Sequence, residues 1–165
     1  MDGGWIQFLS QPGLRLRPAN SMAKISQFEG YVGKVPDLPG YNTPKPDVLP
    51  DPIIVNVQDG VPVQYPGCHG VGVRVVHPVN AKVPSRGLGL VLFYVPPHVI
   101  LEPGHHPTEE TYYIVEGEAT MIFERSRRVV KKGDFVYLPP WCLHGIENTG
   151  RDTVVVLICT TPPNP

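Results

Sequence analysis

Cysteine is scarce in this chain, and its net charge is close to zero. The 165 residues include three cysteines, at positions 68, 142 and 159, and no Cys-x-x-Cys pair. An odd cysteine count without close pairs argues against a disulfide framework of the kind that stabilises small secreted domains. The formal net charge of −1 provides no general attraction to nucleic acid or to anionic membranes. We therefore expect neither as a partner.

Long apolar runs are also missing. No segment approaches the roughly 20 consecutive apolar residues that cross a bilayer as a helix. The partly apolar residues 5–9 are too few for the core of a secretory signal, and no basic stretch precedes them. These absences favour a cytoplasmic protein without a membrane partner.

Helical periodicity is absent as well. No long segment repeats apolar residues at i, i+3, i+4 and i+7, so we expect little α-helix. The 21 prolines and 17 glycines support this expectation, because proline is excluded from helix interiors and from central strand positions. A chain of this length suits one domain with a real core. The sequence therefore predicts a β-rich domain with many loops.

Proline is concentrated in the first part of the chain, where eight prolines fall between residues 30 and 66. Such a stretch forms neither a regular helix nor a central strand. We therefore predict that residues 1–67 are an extended arm, partly packed on the main domain or on a second subunit. The apolar residues 53–57 predict one short strand within this arm. Residues 68–165 are the predicted main domain.

Short β-strands follow one another in this main domain, and turn residues such as Gly, Pro, Asn and Asp separate them. Eight to ten short strands at regular spacing predict a sandwich or a barrel. The predicted strands cover residues 71–76, 88–95, 98–102, 111–115, 119–124, 129–130, 135–138, 143–147 and 153–160.

Two imidazoles and a carboxylate fall where such a barrel can bring them together. Residues two apart on a strand face the same side, so His106 shares a face with Gly104 while His105 faces the other way. Glu110 begins the next strand, and the Pro-Pro turn at residues 139–140 would direct His144 inward from a third strand. Two nitrogens and one oxygen, with open positions opposite, make a first-row metal site. We predict that His106, Glu110 and His144 are metal ligands.

Other residues near the predicted site are weaker candidates. Tyr112, on the inward face, either moves a proton or packs as an ordinary aromatic side chain. His105 joins it as a candidate catalytic residue if a bulge turns it inward. Arg74 faces either solvent or the cavity, where it would suit a substrate carboxylate or phosphate. Trp141 and Cys142 are candidates for the mouth of the pocket.

Residues 98–148 resemble the two conserved motifs of the cupin superfamily. The first motif reads Gly-x5-His-x-His-x3/4-Glu-x6-Gly, and the second reads Gly-x5-Pro-x-Gly-x2-His-x3-Asn. The matching positions are His106, Glu110, Gly117, Gly133, Pro139, His144 and Asn148. Three positions depart from the motifs: His98 replaces the first glycine, Gly104 the first histidine, and Trp141 the inner glycine of the second motif.

The resemblance implies a single-domain, RmlC-like cupin with an all-β fold. Such a double-stranded β-helix, or jelly-roll barrel, commonly pairs through its outer sheets, so a homodimer is expected. Because Gly104 replaces a usual ligand, the family's three-histidine, one-glutamate set is reduced to His106, Glu110 and His144. Three interpretations stay open. The site is a two-His, one-carboxylate triad, or His105 or His98 supplies a fourth ligand, or metal binding is lost.

The favoured function is a mononuclear metal-dependent enzyme acting on a small organic substrate. A non-haem Fe(II) oxygenase, with dioxygenase chemistry, is the first choice because some cupin iron oxygenases use the same triad. The same ligands also hold Mn, Ni or Zn, which would suit an isomerase, lyase or decarboxylase in which Tyr112 or His105 moves a proton. A metal-free cupin that binds a sugar or another small ligand is the third reading.

Overall fold

The computed structural model describes residues 44–164. The chain divides into two compact units, Met1–Leu49 and Pro50–Pro165, and the second unit carries all the regular structure described below. Residues 1–43 of the predicted arm lie outside the described residues. Between residues 44 and 164, no helix is long and apolar enough to cross a membrane.

Ten β-strands and one short 3-10 helix (Val57–Asp59) make up the regular structure of residues 44–164, so the expected scarcity of helix is confirmed. The strands are β1 (Val61–Val63), β2 (Val71–Val76), β3 (Gly89–Val95), β4 (Ile100–Gly104), β5 (Glu109–Glu116), β6 (Glu118–Phe123), β7 (Ser126–Lys131), β8 (Phe135–Leu138), β9 (His144–Glu147) and β10 (Val154–Thr161).

These strands form two antiparallel sheets. The larger sheet has the order β1-β2-β3-β10-β5-β8, and the smaller sheet has the order β4-β9-β6-β7. Non-consecutive strands are neighbours in both sheets, as in a jelly roll, where the chain crosses repeatedly from one sheet to the other. The prediction of an all-β double-stranded β-helix is confirmed.

Alternating side chains place the hydrophobic core between the two sheets. In β3 and β10 every second residue is buried, as expected for strands whose one face is covered. Phe93, Ile114 and Val156 of the larger sheet and Met121 and Ile146 of the smaller sheet are completely buried. Their packing fixes the two sheets that carry the candidate site.

Strand register brings the predicted site residues onto the inner face. Thr160 of β10 lies opposite Glu110 of β5, and directly opposed residues of antiparallel strands project to the same face. Tyr112, two residues further along β5, shares that face. In the smaller sheet, Gly104 of β4 lies opposite His144 of β9. Both sheets therefore contribute to one site.

The strand predicted for residues 53–57 is wrong. Ile53 and Ile54 are 61% and 92% exposed, and neither belongs to a strand. Pro52 cannot donate to a ladder, and the side chain of Asn56 caps the 3-10 helix that follows, so the chain turns there. The first strand is β1, which pairs with β2. The segment assigned to the arm thus contributes an edge strand to the larger sheet.

Five described positions have a left-handed backbone, and four of these, all except Gly67, lie within the cupin motifs. The φ angle is 60° at His98, 84° at Gly117, 94° at Gly133 and 67° at Trp141. These are the four positions at which the cupin motifs carry glycine, the residue that reaches positive φ without steric cost. His98 and Trp141 keep the same backbone turn although a Cβ disfavours it. These two departures from the motifs therefore alter the side chain and preserve the turn.

Replacing His98 with glycine should remove backbone strain at an exposed turn. We expect His98→Gly to raise the free energy of unfolding by about 1 kcal/mol, because a left-handed residue with a Cβ costs roughly that amount. Denaturant unfolding of the variant and the wild type measures the difference. Thr149→Gly is the matched control at an exposed position without positive φ, and it should destabilise by about 0.5 kcal/mol. A loss of stability in His98→Gly would contradict the strain argument.

Candidate metal centre

Two imidazoles and one carboxylate converge on one wall of a cavity between the sheets. Glu110 lies on β5 of the larger sheet, and His144 begins β9 of the smaller sheet. His106 lies in the loop between β4 and β5, not on a strand, because Pro107 follows it and cannot donate to a ladder. The structure therefore brings together the three residues that the sequence predicted as ligands.

The three side chains are close enough to share one ion. The distance from His106 Nε2 to Glu110 Oε1 is 3.5 Å, and the distance from His144 Nε2 to Glu110 Oε2 is 3.3 Å. The prospective ligand atoms all lie within 4.8 Å of one another. The two imidazole rings meet edge to face, with their centroids 5.1 Å apart. This spacing suits three ligands that surround one face of a small cation.

A hydrogen bond orients the imidazole of His144, whereas His106 is held only through its backbone. His144 Nδ1 lies 2.8 Å from the carbonyl oxygen of Cys142, so this nitrogen donates and Nε2 is directed toward Glu110. A metal-binding histidine is commonly held by such a bond on its other nitrogen. The carbonyl of His106 accepts from the Trp141 N–H at 2.8 Å, which connects the loop that carries His106 to the turn that precedes β9. His106 Nδ1 is buried and has no hydrogen-bond partner.

Glu110 is a buried carboxylate, and no lysine or arginine among the described residues pairs with it. Its side chain is 3% exposed, and only the two histidines lie within ion-pair distance of it among residues 44–164. A buried charge is costly unless it is paired or coordinates a metal. Two imidazole nitrogens and a carboxylate are also donors that first-row divalent metals accept. The residues present therefore fit a metal ion.

The protonation of His144 depends on Glu110. Burial by itself lowers the pKa of His144, but the hydrogen bonds to Glu110 and to the Cys142 carbonyl, together with the carboxylate charge, outweigh burial and raise the pKa above its usual value. In the absence of an ion, a proton on His144 Nε2 thus compensates the charge of the Glu110 carboxylate. A metal at this site has to displace that proton.

The two candidate catalytic residues are placed differently. Tyr112 is buried beside Glu110, and its ring centroid is 5.8 Å from that of His144. Burial, followed by the charge of Glu110, raises the pKa of Tyr112 well above its usual value. His105 is exposed and lies against Trp141, with ring centroids 6.1 Å apart, and it does not line the cavity. His98 is exposed at the turn between β3 and β4, so neither histidine completes the site.

The cavity beside the three candidate ligands has a volume of about 150 Å³. This is smaller than the roughly 300–1,000 Å³ of pockets for drug-sized ligands, so the cavity suits a small molecule. Its walls combine apolar and polar side chains. The apolar lining residues include Val91, Leu101 and Ile158, and the polar ones include Tyr65, Thr160 and Asn164.

Sequence reasoning missed the polar residues of the cavity wall. Tyr65 falls in the proline-rich segment assigned to the arm, and Asn164 lies in a Pro-Pro-Asn-Pro sequence that ends the last strand. Neither residue has a local pattern that points inward. The opposition of Thr160 to Glu110 follows only from the pairing of β10 with β5, which the sequence alone does not specify.

The remaining candidates have other surroundings. Arg74 lies opposite Val91 of β3, so its side chain starts from the cavity face, and its buried Nε has no hydrogen-bond partner. Trp141 and Cys142 border a separate groove with residues 123–126 and do not line the cavity beside Glu110. Glu109, which precedes the inward-facing Glu110 on β5, is exposed.

The jelly-roll barrel, with two histidines and a glutamate at these positions, has the architecture and the motif residues of a cupin. A family model described as the cupin domain matches residues 91–160. The uncharacterized protein MJ1618 of Methanocaldococcus jannaschii is 36% identical over 90 residues, which cover 54% of this chain and 71% of that protein. The chain therefore belongs to the cupin superfamily.

Solved structures of low sequence identity share the fold. The polyketide cyclase RemF from Streptomyces resistomycificus has a TM-score of 0.59 and 20% identity, covering 68% of this chain and 80% of that one. A predicted oxalate decarboxylase from Thermotoga maritima has a TM-score of 0.56 and 19% identity, covering 66% and 98%. KdgF from Halomonas has a TM-score of 0.53 and 19% identity, covering 65% and 92%. At this identity the likeness concerns the fold alone.

Metal affinity should depend on pH through His144. Because the pKa of His144 is raised above 6.5, its imidazole is still protonated at mildly acidic pH, and the metal competes with that proton. The apparent affinity for Zn²⁺ should therefore weaken as pH falls, by about tenfold per pH unit below this pKa for one displaced proton. Calorimetric titrations between pH 6 and pH 8 measure the dependence. An affinity that is constant over this range would contradict the assigned ligand.

Proposed function

We propose that this protein is a mononuclear metal-dependent cupin enzyme that acts on a small organic substrate. His106, Glu110 and His144 would hold the ion. The observation that carries the proposal is the convergence of two imidazole nitrogens and a carboxylate within 4.8 Å on the wall of a small cavity. A non-haem Fe(II) oxygenase of the dioxygenase type is the first form of the proposal.

The ligand set supports this form. Two histidines and one carboxylate on one face leave coordination positions free, and this arrangement is typical of non-haem Fe(II) oxygenases. Iron in this site would supply the oxygen chemistry that protein side chains lack. Gly104, where the family motif carries another histidine, adds no side chain to the cavity wall. That vacancy leaves room for substrate beside the triad.

The protein's own residues would bind, orient and shield the reactants. Val91, Leu101 and Ile158 line the cavity, and their apolar side chains would limit the water that reaches the site. Tyr112 keeps its proton at neutral pH because burial raises its pKa, so it can donate a hydrogen bond but cannot serve as a base. The Cys142 carbonyl fixes the ring of His144. We assign His105 no part in this chemistry because it faces away from the cavity.

A non-oxidative enzyme with Mn, Ni or Zn is the second candidate. The observation that favours it is the position of the Tyr112 ring, whose centroid is 5.8 Å from that of His144, because an isomerase, lyase or decarboxylase requires a group that moves a proton next to its Lewis acid. The same three ligands accept each of these metals. Dependence of turnover on O₂ separates this candidate from the oxygenase.

A metal-free cupin that binds a sugar or another small polar ligand is the third candidate. Its supporting observation is the contact between His144 and Glu110, since a protonated imidazole compensates the buried carboxylate without an ion. Elemental analysis of protein prepared without chelators separates this candidate from both enzymes.

The homodimer and the cytoplasmic location remain predictions. Phe135 and Tyr137 on β8 are 73% and 60% exposed, and an aromatic face of this kind supports the expected homodimer through the outer surface of the larger sheet. A cytoplasmic location rests on the sequence alone.

Removing either candidate ligand histidine should abolish metal binding, while removing their neighbour should not. We expect His106→Ala and His144→Ala each to weaken affinity for Ni²⁺ or Zn²⁺ by at least about 100-fold, because two ligands remain in place of three. His105→Ala is the matched control and should retain wild-type affinity. Calorimetry and elemental analysis give affinity and stoichiometry. An empty site in His105→Ala would show that the ligand assignment is incorrect.

Oxygen consumption should identify the reaction class. We expect protein loaded with Fe²⁺ to consume O₂ when it meets its substrate among small organic acids, thiols and diketones, and protein loaded with Zn²⁺ to consume none. An oxygen electrode measures the rates, and His144→Ala mixed with the same amount of Fe²⁺ controls for free iron. Substrate conversion at equal rates with and without O₂ would contradict the oxygenase proposal and favour the non-oxidative enzyme.

A further inference from the structure

The segment after β10 returns to the candidate metal site. Residues 162–164 follow the last strand, and Asn164 lines the cavity together with His106, Glu110 and His144. The Nδ2 group of Asn164 donates a hydrogen bond to Glu110 Oε1 at 3.4 Å. Asn164 thus contacts the one carboxylate of the site, from a part of the chain outside both cupin motifs.

Two buried side chains hold the backbone of Asn164 in place. Its carbonyl oxygen lies 2.7 Å from Nε2 of His77, and its N–H donates to Oγ1 of Thr160 at 3.3 Å. His77 and Thr160 are 3% and 2% exposed. Because His77 Nδ1 accepts from the Val79 N–H at 3.3 Å, Nε2 carries the proton and is the donor to Asn164. The residue is therefore anchored on both sides of its Cα.

Space for this segment is provided by Gly89 at the start of β3. A Cβ at this position would lie 2.3 Å from Thr160 Oγ1 and 3.2 Å from the Cα of Pro163. Any larger residue would push against the anchor and the segment together. The larger sheet thus leaves space for this segment at Gly89, and the two backbone hydrogen bonds of Asn164 fix the contact between Asn164 and Glu110.

We propose that Asn164 is a positioning residue that orients the Glu110 carboxylate for metal binding, and that His77 acts on the site through Asn164. This inference rests on the proposed function. The terminal torsion of a glutamate is broad and sets no fixed orientation of the two oxygens. A neutral amide donor on Oε1 restricts that rotation while it leaves the negative charge in place for a cation. Partners of this kind change metal affinity by about 10- to 100-fold.

Asn164→Ala tests the proposal through metal affinity and the ligand field. We expect it to weaken Co²⁺ binding by about tenfold or more and to alter the visible absorption spectrum of bound Co²⁺, because Glu110 is no longer held in one orientation. Thr161→Ala is the matched control, since Thr161 ends β10 directly before this segment and its side chain donates to the carbonyl of Gly87, away from Glu110. It should keep the wild-type spectrum and an affinity within about twofold.

His77→Phe tests the anchor from a second side, because it removes the donor while it fills the space. We expect it to weaken Co²⁺ binding as much as Asn164→Ala does, and to have no further effect when both changes are combined. Thermal unfolding of each metal-free variant verifies that the fold is intact. A full additional loss in the double variant would overturn the role of His77 through Asn164.

The outcomes separate this inference from the function on which it rests. Wild-type affinity and an unchanged Co²⁺ spectrum in Asn164→Ala would overturn the positioning role while the metal site stands. Wild-type protein that binds no Co²⁺ would overturn the proposed function and the inference with it.

Discussion

A buried carboxylate between two imidazoles determines what the cavity of this barrel can bind. Glu110 is 3% exposed and meets His106 on one oxygen and His144 on the other. A carboxylate this deeply buried needs a positive charge, which is either a proton on histidine or a cation. Both solutions use the same three side chains. The balance between them connects the pKa of His144 with metal binding.

The barrel explains why these side chains meet. Glu110 faces inward because β5 alternates and the core residue Ile114 lies four positions further along the same face. His144 comes from the other sheet, and its backbone pairs with Gly104. The sheets are held by their packed core, so the positions of two candidate ligands are set by the fold. The third candidate ligand, His106, depends on a loop that is fixed by its contact with Trp141.

Much of the fold could be predicted from local patterns. The bounds of β2 and β8 agree with the predicted residues 71–76 and 135–138, because alternation and turn residues mark both ends. The left-handed turns at positions 117 and 133 follow from glycine. The strand expected at 53–57 failed because a run of apolar residues forms a strand only when a partner is available.

The site was only partly predictable for a related reason. His106, Glu110 and His144 have spacings that the cupin motifs share, so they could be recognised in the sequence. Asn164 could not, because its role arises from contacts with His77 and Glu110, which are 87 and 54 residues away along the chain. Contacts at such separations are decided by strand order and register, and no short sequence pattern specifies them.

The coordination shell of a bound metal would report directly on whether His106, Glu110 and His144 are its ligands. X-ray absorption of the Zn²⁺-loaded protein should show two imidazole nitrogens and oxygen donors at about 2.0–2.2 Å, as expected for His106, His144 and Glu110. A shell with sulfur, or one without two imidazoles, would contradict the assignment of these three residues as the metal site.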